Sequence, residues 1–105
     1  MGTETATVPI VCSLTDEEFR RREREVIERL MPLSTSAAET DTGYSFSFPH
    51  SRNILSDIAE FITLERECCP FLDFDLSLGT SRDDILLSLS GPAGAKEFIS
   101  RTFVR

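Results

Sequence analysis

Three runs of alternating character constrain this chain most. Tyr44, Phe46 and Phe48 are separated by Ser45 and Ser47; Leu72, Phe74, Leu76 and Leu78 by Asp73, Asp75 and Ser77; Ile85, Leu87 and Leu89 by Leu86 and Ser88, with Ser90 following. A period of two sends each apolar set to one face of a sheet. The intervening residues are mostly small or acidic, as expected on the solvated face of an antiparallel sheet. Asp41-Thr42-Gly43 supplies turn chemistry before the first run, and a weaker arm from Thr35 to Thr40 completes an expected hairpin. The second and third runs form another hairpin. A fifth strand is expected where Val8, Ile10, Cys12 and Leu14 alternate with Pro9, Val11 and Ser13, with Pro9 marking an edge or a strand start.

Between these runs the period becomes helical. Thr15-Asp16-Glu17-Glu18 announces the first helix, with Thr15 as the expected cap and Glu18 reaching back to it. Phe19, Val26, Ile27 and Leu30 form its inner stripe, and Pro32 ends it. The pairs Glu17 with Arg21, Glu18 with Arg22 and Glu25 with Arg29 mark a solvated outer face. A second helix is expected from near Ser51 to Cys69, with Ile54, Leu55, Ile58, Phe61 and Ile62 inward and Pro70 preventing continuation. Gly91-Pro92-Ala93-Gly94 leads into a short third helix with Phe98 and Ile99 inside and Phe103 extending it. The order β-α-ββ-α-ββ-α predicts an α+β fold: a mostly antiparallel sheet of about five strands, with three helices packed on one face.

The chain has 105 residues, which suits one domain, read as residues 8–105 behind a flexible tail over 1–7. No apolar run is long enough for a membrane span, and the first residues have neither the basic start nor the apolar stretch of a secretory signal. A cytoplasmic protein with reduced thiols is expected. A formal charge of −7, with arginines scattered among glutamates, argues against a nucleic-acid partner.

Chemistry concentrates in Glu65-Arg66-Glu67-Cys68-Cys69-Pro70, where a helical pattern stops and a strand pattern starts. If residues 33 to 49 form a hairpin, chain direction brings the end of the second helix to the same end of the molecule as Cys12, the start of the first helix and the start of the third. One long strand over the same residues would send it to the opposite end. At 100° per residue Glu65 lies in the middle of the apolar stripe, beside Cys68 and Cys69. A carboxylate there has to be protonated, paired with an arginine or bound to a metal. Glu23 falls on the inner stripe of the first helix, so an inward carboxylate need carry no special role in this chain.

Three thiolates with a carboxylate suit a soft or borderline ion: Zn(II), Cu(I), Hg(II) or trivalent arsenic. Cys68, Cys69, Cys12 and Glu65 are therefore the candidate ligands, although adjacent cysteines do not have zinc-finger spacing. His50 opens the second helix far from Cys68 and reads as a surface or capping residue. No phosphate loop, dinucleotide fingerprint or nucleophile elbow is present, and no catalytic residue is assigned. Gly91-Pro92-Ala93-Gly94-Ala95-Lys96 is explained by a turn entering a helix.

Glu65-Arg66-Glu67-Cys68-Cys69-Pro70-Phe71-Leu72-Asp73-Phe74-Asp75-Leu76 and Leu89-Ser90-Gly91-Pro92-Ala93-Gly94-Ala95-Lys96-Glu97-Phe98, with the opening Cys12-Ser13-Leu14-Thr15, resemble a family of small bacterial proteins with no assigned activity. Similar segments accompany heavy-metal-responsive regulators and resistance genes, so the resemblance implies a soft-metal or metalloid role at Cys68 and Cys69, with Cys12 as a third position. Three readings stay open: a thiolate protein that binds or sequesters such an ion, a thiol-redox protein, and a non-catalytic interaction or homodimerisation domain whose cysteines only fill the core.

Overall fold

The computed structural model describes residues 16–104. Those residues form α1 (Glu17–Leu30), a short 3-10 turn (Met31–Leu33), β1 (Ser36–Glu39), β2 (Gly43–Pro49), α2 (Arg52–Cys68), β3 (Asp73–Ser77), β4 (Asp84–Ser90) and α3 (Ala95–Phe103). The architecture is α+β, with three helices and one antiparallel sheet of four strands in the order β1-β2-β4-β3. The expected fifth strand over Val8 to Leu14, the tail over 1–7 and Cys12 lie outside the described residues.

The cap of α1 is Asp16 and not Thr15. Its side chain accepts hydrogen bonds from the amides of Glu18 (2.9 Å) and Phe19 (3.3 Å), placing a carboxylate at the positive end of the helix. Pro32 does not sit in the helix: α1 stops at Leu30, and Pro32 occupies the 3-10 turn, which tolerates a missing amide hydrogen near its start. Ser51 caps α2 by accepting from the amide of Ile54 at 3.0 Å. His50, exposed just before that cap, is at the opposite end of α2 from the cysteines.

Residues 33 to 49 do form a hairpin. Ser36 pairs with Ser47 and Glu39 with Tyr44, and the amide of Thr40 donates to the carbonyl of Gly43 at 2.8 Å. The α2 helix then carries the chain back before β3, so that β4 returns between β2 and β3 in antiparallel register with both. Phe46, Phe48, Ile85, Leu87 and Leu89 are all buried on the helix face, as the alternation predicts. Ser45 and Ser88 lie opposite each other on the other face, joined through their hydroxyls at 2.5 Å.

Two features fix the end of the molecule where α2 stops. First, α1 and α2 run antiparallel, because Arg22 pairs with Glu60 (2.7 Å) while Arg29, two turns later in α1, reaches back to Asp57 (3.2 Å). The start of α1 therefore lies toward the end of α2. Second, Gly91, just after β4, packs so closely on the α2–β3 connection that a Cβ there would stand 2.9 Å from the Phe71 carbonyl oxygen. Phe71 also meets Phe98 of α3 edge to face, with ring centroids 5.0 Å apart. The ends that chain direction brings together in the sequence, among the described residues, do meet.

Candidate metal centre

The last turn of α2 places three chemically active groups on its inward side. Glu65, Cys68 and Cys69 are separated by three and four residues, the spacing at which helical side chains become neighbours. All three are buried, with Glu65 fully inaccessible. Cys69 is the residue that closes the helix: its amide donates to the Glu65 carbonyl at 2.6 Å, and its own carbonyl accepts from Leu72 at 3.0 Å. Pro70, with no amide hydrogen, follows where another helical turn would need one.

One carboxylate oxygen, one sulfur of Cys68 and one of Cys69 all lie within 4.8 Å of one another. Two ligands bonded at ~2.3 Å to a common soft ion stand at most ~4.6 Å apart, so this cluster needs little movement to share one. The Cys69 Sγ donates to Glu65 Oε1 at 3.3 Å, and Oε2 is buried without a donor among the described residues.

Electrostatics decides the state of Glu65. Burial, followed by the hydrogen bond and like charge of Glu23, pushes its pKa up to about 9, against a smaller opposing contribution from Cys69. Two carboxyl groups can hydrogen-bond only through a shared proton. Glu65 is thus favoured in its protonated form, the form that can share a proton with Glu23. Of the three outcomes expected for an inward carboxylate, the raised pKa favours protonation in the absence of an ion, and no arginine among the described residues pairs with Glu65. Glu23 is half-buried on α1 and acts directly on this site, which the sequence reading set aside. Its position on the inner stripe was the available signal.

The cysteines differ from each other. Cys69 is a buried thiol whose pKa is driven well above the ordinary range, first by burial, then by the charge and hydrogen bond of Glu65, and then by Glu23. A thiol of this kind is a poor nucleophile in a metal-free protein, which counts against Cys69 as a redox centre. Cys68 is disulfide-bonded, so the expectation that every thiol is reduced is not met. Its partner is not among the described residues, and the expected placement of Cys12 beside this pair also lies outside them. As it stands the cluster offers one thiol, one disulfide sulfur and one carboxylic acid. Reduction of Cys68 makes it a two-sulfur, one-oxygen donor set.

No helix among the described residues is long and apolar enough to cross a membrane. No protein-family model matches the chain, and neither the curated proteins nor the solved structures contain a match.

Proposed function

We propose that the protein, with Cys68 reduced, binds one soft metal ion of the Zn(II), Cu(I) or Hg(II) type, or trivalent arsenic, at Cys68, Cys69 and Glu65, with Cys12 as a further sulfur ligand. The observation that carries this reading is the buried Glu65 oxygen without a donor, held within coordination range of two sulfurs. A hydrophobic core has no use for a carboxyl group there, because its desolvation costs several kcal/mol, roughly, which the hydrogen bond from Cys69 offsets only in part. Charge also suits a divalent ion: two thiolates neutralise it, and Glu65 can stay protonated or supply a carboxylate when the ion needs another ligand. The role is binding or sequestration, since the cluster contains no group poised for acid, base or nucleophilic catalysis. The resemblance of the Cys68-Cys69-Pro70 segment to proteins that accompany heavy-metal regulators points to the same class of ion.

Reduced protein is expected to take up close to one Hg(II) per chain, followed by the thiolate charge-transfer absorption, and to bind Zn(II) in competition with a chromophoric chelator. Replacing Cys68 and Cys69 together by Ser should weaken Zn(II) binding at least a hundredfold. Unchanged affinity in that double variant would dismiss the reading.

An interaction role is favoured by a different observation. Leu76 and Leu78 are 39% and 48% exposed beside the outer edge of β3, which no described strand covers. In this reading two copies associate through that edge and the cysteines serve the core. Sedimentation across a hundredfold range of concentration should then show a dimer that Leu76→Lys dissociates; a monomer throughout excludes it.

A further inference from the structure

Two neighbouring sulfurs at the end of α2 are in different oxidation states: Cys68 is disulfide-bonded and Cys69 keeps its thiol. A disulfide sulfur carries no thiolate charge and is a poor ligand for a soft ion, so the oxidised cluster is one strong donor short of a binding site. We infer that Cys68 switches the centre between a closed disulfide form and an open dithiol form, with Cys12, the one other cysteine of the chain, as its partner in the closed form. The inference rests on the metal-binding reading above and adds its regulation: the centre takes up its ion only under reducing conditions.

The surroundings explain why Cys68 and not Cys69 is the switching sulfur. Thiol–disulfide exchange proceeds through a thiolate. Both cysteines are buried, but Cys69 keeps its thiol and donates to Glu65 Oε1 at 3.3 Å, whereas Cys68 is the sulfur engaged in a disulfide. Cys69 is thus held out of the exchange and preserved as a ligand. Cys68 sits one residue earlier, in the last turn of the helix, and its oxidation removes one donor from the cluster without touching the Glu65–Cys69 contact.

The opening step balances with a low-molecular-weight thiol as reductant. Two such thiols deliver two electrons and two protons to the Cys12–Cys68 bond; its S–S bond breaks, two protein thiols form, and the reductant leaves as its own disulfide. A divalent ion then binds Cys68 and Cys69 as thiolates, releasing two protons.

The test compares oxidised protein with protein reduced by a dithiol and freed of it under nitrogen, each titrated with Zn(II) against a chromophoric chelator. The reduced form should bind one Zn(II) at least a hundredfold more tightly than the oxidised form, and glutathione disulfide added to the metal-free reduced protein should restore weak binding. Cys12→Ser should show no difference in Zn(II) affinity between glutathione disulfide-treated and untreated protein, whatever affinity the loss of that sulfur leaves. Peptide mapping of the oxidised wild type provides a readout independent of how that variant folds: a Cys12–Cys68 cross-link is expected, and a Cys68 open to alkylation overturns the switch. Equal binding by both forms, lost in the Cys68→Ser/Cys69→Ser variant, overturns the switch while leaving the metal site standing. Failure of Zn(II) and Hg(II) to bind either form overturns both.

Discussion

Glu65→Gln should stabilise the protein, and the gain should grow with pH. In the folded chain the pKa of Glu65 is raised from 4.5 to about 9, chiefly by burial. A group raised in this way contributes its full stability below the unfolded value, near pH 4.5, and loses it progressively as pH rises toward 9, because folding must hold a proton that the unfolded chain releases. The slope is about 1.4 kcal/mol per pH unit, so the loss is roughly 3 kcal/mol at pH 7. Glutamine has the same shape and no charge to lose. Its carbonyl can accept from the Cys69 thiol as Oε1 does now, and its amide can donate to Glu23 where the carboxyl proton does. The variant should match the wild type near pH 5 and melt on the order of 10 °C higher at pH 7 to 8. A gain of the same size at both pH values would mean that Glu65 is not a proton-holding group.

This prediction also separates two explanations for a buried carboxyl group. If Glu65 served packing alone, glutamine would be an improvement at no loss. If it serves a metal centre, the stabilised variant should bind Zn(II) more weakly than the wild type, because an amide oxygen is a weaker donor than a carboxylate. Stability and binding would then change in opposite directions, the usual relation between a strained functional group and the fold that tolerates it.

Glu65 shows how much could be read from the residues. Its place on the inward face of α2 follows from the helical period, and its companions Cys68 and Cys69 follow from spacing. The meeting of chain ends followed from direction once Asp41-Thr42-Gly43 proved to be a turn. All of these are local or directional properties. What could not be read is what depends on distance between elements. The cap fell on Asp16 because Thr15 and Asp16 both have capping chemistry, and the choice turns on one residue of phasing. Glu23 looked incidental because its approach to Glu65 depends on how α1 lies across α2, which periodicity does not encode. The oxidation of Cys68 is likewise a pairing through space. Leu76 and Leu78 alternate like core residues yet are substantially exposed, because the helices do not cover the outer edge of β3.

Phe61→Ala should be the most damaging single core substitution near the centre, and its effect should not add to that of Glu65→Gln. Phe61 is 1% exposed and packs edge to face on Phe103 of α3, with ring centroids 5.4 Å apart. Removing the ring should cost about 3–5 kcal/mol through lost burial and the cavity left behind, a large part of the ~5–15 kcal/mol that holds a domain together. Phe61 also lies one turn before Glu65 on the same side of α2, so the cavity opens beside the carboxyl group. Water entering there would hydrate Glu65, lower its pKa toward the ordinary value and flatten the pH dependence described above. Glutamine at position 65 should then stabilise the Phe61→Ala background much less than the wild type. In urea titrations at pH 8 the double-mutant cycle should show a coupling of about 1–2 kcal/mol that shrinks toward zero at pH 5. Where Phe61→Ala is too unstable to measure, Phe61→Leu offers the same comparison with a smaller cavity. Strict additivity at pH 8 would show that desolvation by the Phe61 ring is not what holds the proton on Glu65.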